Sequence, residues 1–298
     1  MKKWNCIIWG HGRDYDNYIN AIKLQEMHGA IKVIGITAKD KIRAKRLDGY
    51  PVIDKEDLKD ADFDIVIVAS LNKFAEIQKS IMQKGIDDMK IVSIRIFSIP
   101  NLNFDKYIEI KNSKLSIFSN CCWGGITYNK LGMQFYSPFI NMFLDCQDYL
   151  KILGEPKKYM NSPMELVKYA YAPKRLYPVC DLNGVRLHFN HYSSYVEALE
   201  LWEKRKERIN WDNIFIMMYT EDKGEAEMFT ELKHKKKVCF VPFETTQESL
   251  FYIDREYLVG NDKDVPFYDL INGLAWGMYK YYDILDLLLG DKNKTRLI

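Results

Sequence analysis

The feature that most constrains this chain is a series of short apolar runs, each separated from the next by a stretch of helical periodicity. Asp64–Ser70 reads D-I-V-I-V-A-S. A near-continuous apolar run of this length suits a strand buried on both faces, the central position in a parallel sheet. Trp4–Trp9 and Ile31–Thr37 are similar runs, and Pro51–Ile53 and Lys90–Ile94 are shorter ones. Helical patterns run from about Asp16 to His28 and over Ala75–Lys84, and Lys55–Lys59 opens a short helix. Strands alternating with helices predict βαβ units, because parallel neighbours need a crossover long enough to hold a helix. Residues 1–105 are therefore expected to form an N-terminal Rossmann-like parallel-sheet domain, closing around Ile99-Pro100-Asn101-Leu102-Asn103.

Residues 106–298 predict a second α/β domain, and a length of 298 residues suits two domains. Strands are expected at Lys114–Phe118, Asn213–Tyr219 and Lys237–Val241, with a hairpin over Tyr177–Phe189 turning at Asn183-Gly184. Helices are expected over Phe143–Leu153, from an N-cap at Ser194 to about Arg208, and over Glu225–Lys233. Phe267–Leu289 reads as one long, mostly apolar helical stretch, best placed as a core or dimer helix. Its Trp276, Tyr279, Tyr281 and Tyr282 also suit peripheral contact with a membrane interface.

A net charge of +2 supplies no global field for nucleic acid. No apolar run reaches the length of a bilayer span, and the N-terminal run turns at Gly10, as a strand does and a secretory signal does not. The six cysteines, Cys6, Cys121, Cys122, Cys146, Cys180 and Cys239, show no CxxC spacing and read as reduced thiols in the cytosol.

The first strand runs into Gly10-His11-Gly12-Arg13-Asp14-Tyr15. A dinucleotide turn needs glycine at both of the first two positions, for a tight turn and close approach to a pyrophosphate. It needs a third glycine so that the helix packs near the strand. Tyr15 holds that third position, and Thr37 stands where the second strand would end in a carboxylate. The fingerprint is broken, and NAD is the weaker reading beside a nucleotide, a nucleotide sugar or no ligand. Gly10, His11, Gly12 and Arg13 remain the candidate cofactor-binding residues, because they face the sheet edge and helix N-terminus where an anion binds. No particular cofactor follows from the sequence.

Three segments of the second domain carry candidate chemistry. Ser119-Asn120-Cys121-Cys122-Trp123-Gly124-Gly125 follows a strand and offers N–H groups and a hydroxyl to a ligand. Cys121 or Cys122 becomes a nucleophile if a histidine lowers its pKa, against the commoner role of buried thiol. His188-Phe189-Asn190-His191-Tyr192 places His188 and Asn190 on one strand face and His191 on the other, unless the strand ends near Asn190. His191 is the better general base, and H-x-x-H without a third ligand is poor support for a metal. Arg205 and Arg208 lie three apart on a helix and can clamp a phosphate, or simply belong to a solvated face. Thr220-Glu221-Asp222 is a weaker candidate for a metal or sugar hydroxyls.

The first hundred residues resemble the small Rossmann-like domains of capsule and surface-polysaccharide enzymes, through Gly10-His11-Gly12, Gly49-Tyr50-Pro51-Val52-Ile53, Glu56-Asp57-Leu58 and Ile65-Val66-Ile67-Val68-Ala69-Ser70. In the second domain, S-N-C-x-W-G-G from Ser119, F-x-S-P-x-I-N-x-F from Phe135, H-F-x-H-Y from His188 and W-x-x-R-x-x-R-I-N-x-D-N-I from Trp202 occur in order. Lys237–Phe243 is a further block. Together they resemble an uncharacterised bacterial family labelled exopolysaccharide biosynthesis protein, a domain of unknown function. The resemblance implies a pathway, the making of capsule or exopolysaccharide, and supplies no reaction. The expectation is a transferase acting on a surface-glycan precursor. Its donor is a nucleotide sugar or another activated group held between the domains, and its acceptor a glycan or lipid-linked glycan. Ser119, Asn120, Cys121, Gly124 and Gly125 would form one wall, with Ser137, Asn141 and His188 near it. His191 would act as base, and Arg205 or Arg208 would hold phosphate in place of a metal, since no convincing D-x-D motif is present. The alternatives are a non-catalytic nucleotide-sugar or glycan-binding accessory protein, and a Cys-dependent acyltransferase or hydrolase. A homo-oligomer is compatible with each of these.

Overall fold

The computed structural model describes residues 2–40, 42–172, 175–260 and 264–291. The chain divides into two compact units, Met1–Asn112 with Lys130–Gly132, and Ser113–Asn129 with Met133–Ile298. The first is a Rossmann-like parallel-sheet domain and the second an α/β domain with parallel and antiparallel sheets.

In the first unit, β1 (Trp4–Trp9), α1 (Arg13–Met27) and β2 (Ile31–Thr37) form one βαβ unit. A small hairpin follows, of β3 (Arg46–Leu47) and β4 (Tyr50–Pro51). Then come β5 (Ile65–Val68), α2 (Phe74–Met82), β6 (Ile91–Ser93) and α3 (Phe104–Asn112). The sheet order is β2-β1-β5-β6, all parallel. The chain therefore steps one way from β1 and then crosses back, leaving a switch point between β1 and β5. The apolar run at Ile65–Val68 is buried at every residue, as its central place requires. The short helix expected at Lys55–Lys59 is a 3-10 turn at Asp57–Asp60.

The glycine turn sits at the switch point. Gly10 has φ +107° and donates its N–H to the Thr37 carbonyl at 2.8 Å. A Cβ there would lie 3.2 Å from the Ala69 carbonyl oxygen, so the turn is built for glycine. Tyr15 is buried and its hydroxyl donates to Asp48 at 2.7 Å, tying α1 to the loop between β3 and β4. Asp14 and Asp16 occupy the first turn of α1, and Asp14 accepts the Leu71 N–H at 2.8 Å. Two carboxylates at a helix N-terminus already complement its dipole and oppose a further anion. Thr37 is buried with a hydroxyl that has no hydrogen-bond partner among the described residues.

The second unit opens with β7 (Ser116–Ser119), α4 (Trp123–Lys130), α5 (Cys146–Gly154) and α6 (Pro156–Met160). A three-stranded antiparallel sheet follows, built from β8 (Met164–Ala172), β9 (Arg175–Leu182) and β10 (Val185–His188). Next come α7 (Tyr195–Lys206), β11 (Ile214–Tyr219), α8 (Lys223–Thr230), β12 (Lys236–Val241) and β13 (Leu250–Tyr252). The described chain ends with α9 (Arg255–Val259), α10 (Phe267–Trp276) and α11 (Ile284–Leu289). β7, β11, β12 and β13 make a parallel sheet in that order, and β9 is central in the antiparallel one. The β9–β10 turn is the expected Asn183-Gly184, with φ of 53° and 82°. Ser194 caps α7, its hydroxyl accepting the Glu197 N–H at 3.2 Å. The core is aromatic: Phe139 lies within 4.9 Å of Phe118, 5.6 Å of Trp202 and 5.8 Å of Tyr149, centroid to centroid.

Two expectations are corrected. Phe267–Leu289 is two helices, because Gly277 adopts φ 76° and ends α10 in a Schellman motif. Its N–H donates to Leu274 and the Met278 N–H to Gly273. Phe143 belongs to no helix; it exchanges two backbone hydrogen bonds with His188, each 3.0 Å, and α5 starts at Cys146 behind the N-cap Asp145. No described helix is long and apolar enough to cross a membrane.

Candidate functional site

In open parallel sheets, ligands bind outside the carboxyl ends of the strands. In the second unit that edge carries Ser119 at the end of β7 and Tyr219 at the end of β11, and beside it opens a cleft of about 940 Å³. The volume lies within the range of small-molecule sites, roughly 300–1,000 Å³. The lining residues all belong to the second unit.

One wall is the loop after β7, and its residues divide into those that shape the wall and those that face the cleft. Ser119 is fully buried, and its hydroxyl donates to the Cys121 carbonyl at 2.8 Å and accepts the Gly124 N–H at 3.1 Å. Asn120 is equally buried. Its amide accepts the Tyr219 N–H and donates to the Tyr219 carbonyl, both at 3.1 Å, which continues the β7–β11 pairing one residue beyond the strand. Gly124 and Gly125 are packing positions: a Cβ on Gly124 would sit 2.6 Å from Ser119 Oγ, and one on Gly125 3.2 Å from Asn141 Oδ1. Ser137 turns its hydroxyl to the Phe139 N–H at 3.2 Å. These five residues shape the wall from behind. Cys121, Cys122 and Asn141 reach the cleft itself.

The cysteines there are thiols at neutral pH. Burial pushes Cys121 well above the ordinary value and Cys122 up to about 11. Nucleophilic attack needs the thiolate, which this environment suppresses.

A second wall comes from the turn after β10. Because that strand stops at His188, Asn190 and His191 both line the cleft. His188 stacks on Phe143 at 4.4 Å, and burial holds its pKa below the ordinary imidazole value. Arg175 Nη2 lies 2.9 Å from His191 Nδ1. A guanidinium only donates, so His191 accepts on Nδ1 and carries its proton on Nε2. Burial and the Arg175 charge both lower its pKa. As placed, His191 offers a hydrogen-bond donor, and the base role read from the sequence requires Arg175 to withdraw.

The far wall was not anticipated. Tyr268, Asn272 and Trp276 recur every four residues along α10 and present one stripe, with Asp269 beside it. Gly273 makes room for an aromatic ring, since a Cβ there would lie 2.8 Å from Tyr279, and glycine lets that ring lie against the helix. The rim is apolar, with Tyr268 46%, Trp276 50% and Met278 72% exposed. Asn190 Oδ1 and Asn272 Oδ1 are buried and find no hydrogen-bond partner among the described residues. The sequence marked neither amide as a site residue: Asn190 is the unspecified position of H-F-x-H-Y, and nothing in the composition of α10 separates Asn272 from a core helix.

Arg205 and Arg208 do not line the cleft. Arg205 is buried over the Phe135 ring, 5.2 Å from its centroid, and donates to the Tyr192 hydroxyl. That hydroxyl in turn donates to the Ile140 carbonyl at 2.6 Å. Asp222 of the Thr220-Glu221-Asp222 loop caps α8, accepting the Glu225 N–H at 2.9 Å. The described residues hold no group of three or more His, Cys, Asp or Glu able to bind a metal. Of the first unit's candidates, His11, Gly12 and Arg13 are exposed at the glycine turn, and a Cβ on Gly12 would meet nothing within 4 Å.

Residues 93–289, which contain every residue lining the cleft, match the family described as a domain of unknown function, DUF1919. The chain belongs to that family. Residues 2–92 match the C2185-like N-terminal family. An uncharacterised protein of Haemophilus influenzae is 32% identical over 181 residues, covering 60% of this chain and 84% of that protein. A bacterial family of unknown function agrees with the resemblance carried by the motifs. The polysaccharide context of that resemblance is not part of these descriptions.

Proposed function

We propose that the protein is a transferase acting on a cell-surface polysaccharide precursor, and that the cleft of the second unit holds the sugar portion of its donor or acceptor. The observation that carries this is the pair of buried, unpartnered amide oxygens, Asn190 Oδ1 and Asn272 Oδ1, from different walls beneath an aromatic rim. A buried acceptor left unmade costs about 1–3 kcal/mol, a penalty that ligand hydroxyls can relieve. Aromatic faces such as Trp276 and Tyr268 suit the apolar C–H face of a sugar ring, and the Asp269 carboxylate accepts further hydroxyls. Among the described residues no lysine or arginine lines the cleft, although Arg175 reaches His191 at 2.9 Å, and this lining suits an uncharged ring.

A non-catalytic glycan-binding protein is the second reading. It is favoured by the state of the nucleophile and base candidates: Cys121 is a neutral thiol, and His191 is engaged by Arg175. The test is a thermal-shift screen of the full chain against nucleotide sugars and oligosaccharides, followed by assay of the stabilising ligands for nucleotide release or glycan extension. A native-state ligand raises stability by mass action. A shift with turnover supports the transferase, a shift without turnover supports the binding protein, and no shift with any sugar overturns both.

A further inference from the structure

The parallel sheet of the second unit has an amino-terminal edge as well, and a second pocket opens there. It has a volume of about 590 Å³ and takes Ile214 at the start of β11 and Lys236 at the start of β12. The cleft takes Tyr219 at the other end of β11. Five residue steps of strand, roughly 17 Å, separate the two edges, so they cannot grip the same small group.

The two sites are opposites in charge. Among the described residues, Lys157, Lys158, Lys233, Lys235 and Lys236 line this pocket against two carboxylates, Glu155 and Asp212. Glu155 is already paired with Lys158 at 2.6 Å. Lys236 donates to the neutral amide of Asn213 at 2.9 Å. Lys157, Lys233, Lys235 and Lys236 form no ion pair with a carboxylate among the described residues. A chain whose total charge is only +2 thus gathers five lysines around one concavity. The resulting positive field favours an anion in the pocket. In the same pocket Trp211 is 36% exposed, with the Lys157 ammonium 5.6 Å from its ring centroid.

We propose that this pocket is a nucleotide site, taking a nucleoside diphosphate with its phosphates among the lysines and its base against Trp211. Lysine ammonium groups are compact point charges suited to phosphate oxygens. An exposed indole amid cations is the arrangement that stacks a nucleic-acid base. A pocket of this volume accommodates a small molecule and not a polymer strand. The site is independent of the reading of the cleft.

The test is calorimetric titration of the full chain with ADP and with pyrophosphate at low salt. The variants are Trp211→Ala, the double charge reversal Lys157→Glu/Lys235→Glu, and the cleft variant Asn272→Ala. Lys157 and Lys235 are exposed, so their reversal leaves the fold intact, checked by an unchanged melting temperature without ligand. The expected result is saturable ADP binding that weakens at least tenfold in the double reversal, with higher salt, and in Trp211→Ala, and is unchanged in Asn272→Ala. Pyrophosphate binds more weakly than ADP and is indifferent to Trp211→Ala. Absence of ADP binding, or binding that survives the double reversal, overturns the site. Loss in Asn272→Ala instead assigns ADP to the cleft and also overturns it. Equal affinity for pyrophosphate and ADP overturns the role of Trp211.

Discussion

Asn120 shows how much of this site is decided by single side chains. Its amide takes the place of a strand residue and satisfies both backbone groups of Tyr219, while its own carbonyl accepts the Leu144 N–H at 3.0 Å. Asn120→Ala strips both hydrogen bonds to Tyr219 and leaves its N–H unsatisfied, while its carbonyl keeps the Cys146 thiol at 3.2 Å, so a loss of about 1–3 kcal/mol is expected in urea unfolding. Asn120→Asp keeps only the acceptor and is expected to lose nearly as much. Histidine gives the molecule a pH dependence of definite sign. Burial lowers the pKa of His188, and burial with Arg175 lowers that of His191. The unfolded chain therefore takes up protons on these rings at a pH where the folded chain has not, and stability falls as pH drops from 7 through the ordinary imidazole value and below. His188→Gln is expected to flatten the fall in the urea midpoint between pH 7.5 and 5.5; an unchanged slope would show that His188 is not held neutral. At this scale the sequence was only half legible. The loop at 119–125 and the turn at 188–192 stood out by composition. Which of their residues face the cleft depends on hydrogen bonds formed across about a hundred residues, as between Asn120 and Tyr219.

At the scale of elements, glycines separate positions that need them from positions that do not. Gly124 faces the buried Ser119 hydroxyl, and Gly124→Ala must displace the loop that forms the cleft wall. Overpacking of this kind costs about 1–3 kcal/mol, and sugar binding is expected to fall with it. Gly12 has φ −92° and open space around its Cα. Gly12→Ser supplies the side-chain N-cap that α1 lacks and is expected to change the melting temperature little or raise it slightly. If the turn held a pyrophosphate against the Gly12 backbone, the same change would abolish that binding. Most elements were readable because their patterning is local: the buried run of β5, the Asn-Gly turn after β9, the Ser194 cap. β8 was not, because most of its side chains are exposed on both faces and leave no alternation to read. The α10–α11 break was missed because a single glycine, Gly277, interrupts an otherwise continuous apolar stretch. That break lets α10 present Asn272 and Trp276 to the cleft while Tyr282 turns inward to accept from Trp123 Nε1 at 2.8 Å.

At the scale of the molecule, each unit is organised by a parallel sheet; alternating strand and helix patterns foretold that sheet in the first unit, and in the second only the α/β class. The cleft was not foreseeable in full. Its walls come from residues near 121, 190 and 272, which only the order β7-β11-β12-β13 and the inserted antiparallel sheet bring together. The proposed function rests on the two amides, Asn190 and Asn272, that line the cleft. The most direct measurement is calorimetric titration of the wild-type chain and of Asn190→Ala/Asn272→Ala with the sugar ligand that most stabilises the wild type. Saturable binding to the wild type and at least tenfold weaker binding to the double variant are expected, with the double variant still folded. Equal affinity in the two proteins, or no sugar that binds the wild type, would contradict the proposed function.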